Sequence, residues 1–219
     1  DGVGSKPVLS GAATQSTWTY DAGNNVYASP AYADKNVGIV LENGVPMKLQ
    51  LWNTNLATTA AAMATGSSPV AGRWAGSYTF NPNTNILYIR PSSGTTTGKT
   101  YTTTSNSGFS TQAGGCGINF SGASESSRMT DILVDGVKFE NITRHGIFSA
   151  NVDGIRVLNC EMQFIGGYHP NTDVSLHHGN CIEIGSNARN VLVDGLTASH
   201  VLDTIITCQM GGTGDATSD

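Results

Sequence analysis

Charge is what this chain of 219 residues has least of: only 12% of its residues are Asp, Glu, Lys or Arg. Ordinary soluble domains carry roughly a quarter. The formal net charge is −5 and no basic patch stands out. That argues against a nucleic-acid partner, which needs clustered lysine and arginine. No apolar run approaches the ~20 residues needed to cross a bilayer, so no membrane span is expected. Four cysteines are present (Cys116, Cys160, Cys181, Cys208), none in a CxxC pair. A zinc cage is thereby disfavoured, and disulfides or buried thiols remain open. An initiating Met is also missing: the chain opens on DGVGSKPVLSG and stops at GTGDATSD. It reads as cut from a longer protein at both ends, and the lack of a signal peptide says nothing about secretion.

Gly, Ser, Thr and Asn fill the gap left by charge. A chain polar through hydroxyls and amides suits a β-rich secreted or cell-surface protein, or a sugar-binding surface. Its texture changes along its length. The first 110 residues hold Trp18, Trp52, Trp74 and six of the seven tyrosines. SYTFN and ILYIRP alternate as antiparallel strands do, with NPNTN as the turn between them. LATTAAAMATG is the one plausible helix, or else a long loop. Residues 13–110 are expected to form a small antiparallel β domain built around the three tryptophans.

After Gly114 short β-branched runs alternate with Gly, Asn and Asp. DILVDGVKFEN (131–141) and NVLVDGLTASH (190–200) are near twins, and GIRVLNCEMQF aligns between them. The alignment stacks Ile132, Ile155 and Val191, then Val134, Val157 and Val193. It continues through Val137, Cys160 and Leu196 to Phe139, Met162 and Ala198. Each run bends at Gly136, Asn159 or Gly195, residue types that enter the left-handed region at least cost. A second strand family, GINF, GIFS, CIEI and TIIT, stacks Ile118, Ile147, Ile182 and Ile205. Ile132 to Ile155 and Ile182 to Ile205 are both steps of 23 residues; the longer steps place their excess in loops. Three strands per turn of such a repeat predict an all-β fold, a right-handed parallel β-helix. One rung cannot bury its apolar face, and stacking does. The expected organisation is a partial coil in residues 1–12, the inserted domain in 13–110, and further coils in 111–219.

Those residues carry a resemblance. Residues 114–209 resemble the pectate-lyase-like superfamily of right-handed β-helices. GSKPVLSG is similar to its early-coil segment. GRWAGSYTFNPNTNILYIRP resembles a small β-sandwich inserted between coils of some secreted β-helix glycosidases. GNCIEI...VLDTIITCQ looks like a recurrent coil pair in that group. The resemblance implies architecture, and a polysaccharide or oligosaccharide partner; no motif names a reaction.

In such solenoids the strand opening each coil usually faces the ligand. Strand parity turns Ile118, Ile147, Ile182 and Ile205 inward and Asn119, Phe148, Glu183 and Ile206 outward. Glu183 is then the one carboxylate of the outward row. Cys116, His145, Asn180 and Asp203 precede the strands, one per coil. Rungs about 4.8 Å apart would set Glu183 and Asp203 roughly 5–9 Å apart, a range covering retaining and inverting glycosidases alike. The plain alternatives are a solvated Glu183 and an Asp203 that caps turn amides.

The longest loop, IGGYHPNTDVSLHHG, enters just before the Glu183 strand and carries three of the five histidines. Long loops on rigid scaffolds often line sites. Tyr168 would stack on a sugar, with His177, Asn119 and Phe148 as further binding residues. His178 and His145 would assist Glu183 and Asp203; a polar surface loop is the alternative. HxxxxxxxHH is no recognised zinc spacing, and neither a metal site nor a cofactor is assigned. A lyase or epimerase would need cations to neutralise a uronate. Arg144 is the only basic residue near that face, although calcium could supply the charge. Cleavage of glycosidic bonds is therefore the leading expectation. A tailspike- or adhesin-like stalk that binds glycan without chemistry is the main rival.

Overall fold

The structure, a computed structural model, describes residues 4–32, 37–52, 55–65, 75–105, 115–167 and 179–209. Among them it is all-β apart from one helix, with strands in five sheets of both parallel and antiparallel pairing.

The antiparallel unit consists of two sheets over a shared core. One pairs Tyr101–Ser105 with Ala12–Gln15 and with Val37–Glu42. The other runs through Thr19–Asp21, Val26–Ala28, Ile86–Arg90 and Ser77–Asn81, and adds Lys48–Leu49 in parallel. The expected NPNTN turn joins its central hairpin: the Asn81 side chain accepts the Asn83 amide at 2.9 Å, and Asn85 takes a left-handed φ of 56°. The core between the sheets is Val37, Val40, Met47, Tyr78, Phe80, Leu87, Ile89 and Tyr101. This corrects the expectation of a tryptophan-centred core. Trp18 is half-buried, edge-on to Tyr101, and Trp52 stacks on Tyr88 beneath the helix face. Trp74 lies outside the described residues. Bulky indoles thus flank a core that smaller side chains fill. The helix, Leu56–Thr65, starts where Asn55 accepts the Thr58 amide at 2.9 Å, an N-cap. It lays Ala60 and Met63 on Val26.

The remaining residues build three sheets whose pairings are all parallel. Ile118–Ser121, Ile147–Ala150, Ile182–Ile184 and Ile206–Cys208 form the first. Met129–Asp135, Val152–Leu158 and Arg189–Asp194 form the second. Val8–Ser10, Lys138–Ile142, Glu161–Ile165 and Thr197–Val201 form the third. From Ile118 to Val201 the chain visits the three in rotation. The registers Ile132–Ile155–Val191 and Phe139–Met162–Ala198 match the alignment. Gly136, Asn159 and Gly195 take φ of 67°, 50° and 66° at the bends. Phe139, Ile147, Ile155, Met162, Ile165 and Ile182 are buried in the space the sheets enclose. In the last round of strands Val191, Val193, Leu196 and Ala198 are only partly covered.

Two expectations are corrected here. Ile182 pairs with Ile206, not Ile205, so the last step is 24 residues, and Thr207 rather than Ile206 follows Glu183 in register. The antiparallel unit also does not stand apart. Gly11 donates to the Glu140 carbonyl at 3.1 Å where the chain leaves the third parallel sheet. Gly167 approaches Gly38 so closely that a β-carbon on it would sit 2.4 Å from the Gly38 Cα.

One passage matters for the site. Between Ile142 and His145, and between Val201 and Thr204, two residues turn the corner from the third sheet to the first. Between Ile165 and Asn180 the chain spends fourteen. Yet Gly166 and Gly179 touch: a β-carbon on Gly179 would meet the Gly166 Cα at 2.5 Å. The excursion begins and ends at a closed neck that only glycine fits.

Candidate functional site

The backbone ladder sets one row just before the first parallel sheet. Gly117 donates to the His145 carbonyl, Gly146 to that of Asn180 and Cys181 to that of Thr204. The row is therefore Cys116, His145, Asn180 and Thr204. Asp203 stands one position off it, a consequence of the same one-residue shift that displaced Ile205.

Asn180 is the hub, and every polar group it owns is used. Its amide N–H donates to His145 Nδ1 at 3.3 Å and its carbonyl accepts from Gly146 at 3.0 Å. Its Nδ2 donates to Glu183 Oε2 at 2.8 Å, and its Oδ1 accepts the Thr204 amide at 3.1 Å. Asn180 thus ties three successive rounds of the chain, the previous one through its backbone and its own and the next through its side chain. Because Nδ1 of His145 accepts, the ring proton sits on Nε2. Nε2 lies 3.2 Å from the same Glu183 Oε2, close but off the line of an aligned hydrogen bond. His145 is 0% exposed and Glu183 6%. Glu183 occupies the outward row of its strand, in register with Phe148. It is nevertheless buried, which corrects the expectation of an open, outward carboxylate. The Phe148 ring, half-buried, lies 6.1 Å from that of His145.

Cys116 closes the lower end of the row and is buried. Burial pushes its thiol up, Glu183 adds to that, and a backbone hydrogen bond to His145 and the Arg144 charge oppose it. Such a thiol is poorly suited to nucleophilic attack.

The other predicted residues divide. Asp203 is exposed and accepts the Thr204 hydroxyl at 3.1 Å, and it is not a member of the Glu183 cluster. Asn119 is exposed, its Oδ1 accepting from Ser121 at 2.6 Å. Tyr168, His177 and His178 lie outside the described residues. Sequence reasoning placed Asn180 in the row but gave it no role. The available signal was an amide standing where the preceding strand of the first parallel sheet has histidine before it, three residues before a carboxyl group. Among the described residues no three His, Cys, Asp or Glu side chains converge as metal ligands, and no helix is long and apolar enough to cross a membrane.

The arrangement offers a carboxyl group of fixed orientation, held by one amide donor, with an imidazole of fixed tautomer behind it. Full burial of His145 leaves it in contact with Glu183 and away from solvent. No family model, no curated protein and no solved structure matches this chain.

Proposed function

We propose that residues 115–208 are coils of a right-handed, pectate-lyase-like parallel β-helix, and that the protein cleaves glycosidic bonds of a polysaccharide or oligosaccharide. Three parallel sheets visited in rotation support the coil reading, and right-handedness is the rule for parallel crossovers. The observation that carries the functional reading is Glu183. A carboxyl group 6% exposed, held by Asn180 and His145 on an otherwise neutral row, is the preorganised acid or nucleophile that glycoside cleavage needs. Asp203, exposed on the next coil, is its proposed partner. The low charge and abundant hydroxyls and amides support a secreted or cell-surface setting and a sugar partner.

A specific observation favours the rival. Asp203 spends its carboxylate on its own turn and Glu183 serves Asn180, a pattern that a non-catalytic glycan-binding stalk also needs. Incubating the protein with a panel of neutral and acidic polysaccharides and measuring new reducing ends separates the two. Cleavage that disappears in Glu183→Gln and Asp203→Asn supports the hydrolase. Unsaturated products absorbing near the ultraviolet point to a lyase instead. Retention on a glycan array without cleavage gives the stalk.

A further inference from the structure

Away from the Glu183 cluster, Tyr20 and Tyr27 are cross-strand partners at the edge of the five-stranded sheet of the antiparallel unit. Ile89 and Tyr78 continue the same row and belong to the core between the two sheets. Tyr20 therefore faces the core side but lies past its cover, and it is 50% exposed. The two rings lie 4.9 Å apart, tilted by 41°. Each is also tied at its hydroxyl. Tyr20 donates to Asn25 Oδ1 at 3.0 Å, and Tyr27 donates to the Gly94 carbonyl at 3.4 Å. An aromatic ring held in this way meets a ligand with little rotamer freedom left to lose.

The loop that contains Gly94, residues 92–100, is built as firmly. Gly94 donates to the Pro91 carbonyl at 3.2 Å, Lys99 to that of Thr96 at 3.2 Å, and the Thr100 amide to Asn43 Oδ1 at 2.8 Å. Beneath it Glu42 is 3% exposed. Its carboxylate accepts from the amide and the hydroxyl of Ser92, from Lys99 Nζ at 2.9 Å and from the Tyr101 hydroxyl at 3.0 Å. Burying a carboxylate is costly even when it is paired. Four donors on one carboxylate here fix a loop whose exposed groups include the hydroxyls of Ser93, Thr95 and Thr97. A costly anchor under an exposed hydroxyl-rich loop, beside an exposed pair of tethered rings, is the construction of a preorganised site.

We propose that the Tyr20–Tyr27 pair and this loop bind a neutral pyranose unit of a glycan chain. The open face of Tyr20 takes the C–H face of the sugar ring, because the negative face of an aromatic ring attracts the weakly positive C–H groups. Asn25 and the loop hydroxyls serve the hydroxyls of the sugar, and each can donate and accept. The one cation of the loop, Lys99, is committed to Glu42, so the rim has nothing to draw an acidic glycan. A protein partner would need about 800 Å² on this side, several times what two tyrosine rings offer.

The test is calorimetric titration of the 219-residue protein with cellohexaose, xylohexaose and mannohexaose, and with hexagalacturonate as the acidic counterpart. The expected result is saturable binding of at least one neutral hexasaccharide, with hexagalacturonate at least tenfold weaker. Tyr20→Ala should lower that affinity at least fivefold with an unchanged melt, and Tyr20→Phe, which keeps the ring, should stay within threefold of the natural protein. No saturable binding of any neutral hexasaccharide, or binding that Tyr20→Ala leaves unchanged, overturns the proposal. Binding of hexagalacturonate as tight as that of the neutral chains overturns its neutral part. New reducing ends are measured in the same samples: their absence counts against the Glu183 reading alone, because binding at Tyr20 needs no cleavage.

Discussion

On the proposed reading Glu183 has two separable duties, and a pair of substitutions divides them. Its Oε2 accepts from Asn180 Nδ2 at 2.8 Å and faces His145 Nε2 at 3.2 Å. In Glu183→Gln the amide oxygen takes the place of Oε2, so both donors keep an acceptor. Stability should change by less than about 1 kcal/mol. In Glu183→Ala a buried amide donor loses its acceptor and a buried imidazole loses its nearest oxygen. Each orphaned donor costs about 1–3 kcal/mol, and the combined loss should be about 2–6 kcal/mol. For a chain of this size that is a fall in Tm of roughly 4–24 °C. Turnover of a glycan should behave differently, falling by orders of magnitude in both variants, since an amide can neither donate a proton nor attack carbon. Thermal melts and reducing-end assays on the same preparations provide the comparison. If Gln destabilises as much as Ala, the network needs the acid itself. If Ala leaves the melt unchanged, the geometry around Asn180 is wrong. If Gln retains full turnover, Glu183 has no catalytic part.

Three other outcomes are expected. Alkylation of the native protein should modify Cys208, which is exposed, and spare the buried Cys116, Cys160 and Cys181; a second thiol reacting at the rate of Cys208 would contradict this. Burial pushes the Cys181 thiol from 9.0 up to about 12. Its contribution to stability is therefore complete below pH 9 and is lost as pH rises toward 12. Between pH 8 and pH 10 the natural protein should lose about 1.4 kcal/mol more than Cys181→Ala in denaturant titrations, and equal losses would count against it. Finally, Ile155→Ala, in the middle of the stack and 1% exposed, should cost about 2–5 kcal/mol. Val193→Ala, in the partly covered last strand of its sheet, should cost about 1 kcal/mol, and equal costs would mean that this edge is as well packed as the middle.

Much of the parallel pairing was legible because its side chains repeat. Ile132, Ile155 and Val191 announce their shared wall by type and by the left-handed Gly or Asn that follows in each run. The misreading of Ile205 has a definite origin. TIIT offers two adjacent isoleucines, and the step of 23 from Ile182 agreed with another step of 23, whereas the ladder chooses the step of 24. A period of two makes that single residue consequential, since it exchanges the faces of the whole strand. The same slip carried Asp203 into a row that belongs to Thr204. Burial of Glu183 was not readable from parity, which says which way a side chain points and not what covers it. In the antiparallel unit, composition located the aromatic residues but not their depth: Tyr78 and Tyr101 are interior while Trp18 and Trp52 are marginal.

The glycine neck at Gly166 and Gly179 has an evolutionary consequence. Since the two backbones touch, the strands on either side are held together whatever the intervening passage contains. The passage between Gly167 and Gly179 can then change in length or sequence without a shift propagating into Ile165–Val201 or Ile147–Ile182 pairings. Natural variation in a lineage of such proteins should therefore concentrate in this cassette, immediately beside Asn180 and Glu183. Gly166 and Gly179 would be its constant borders.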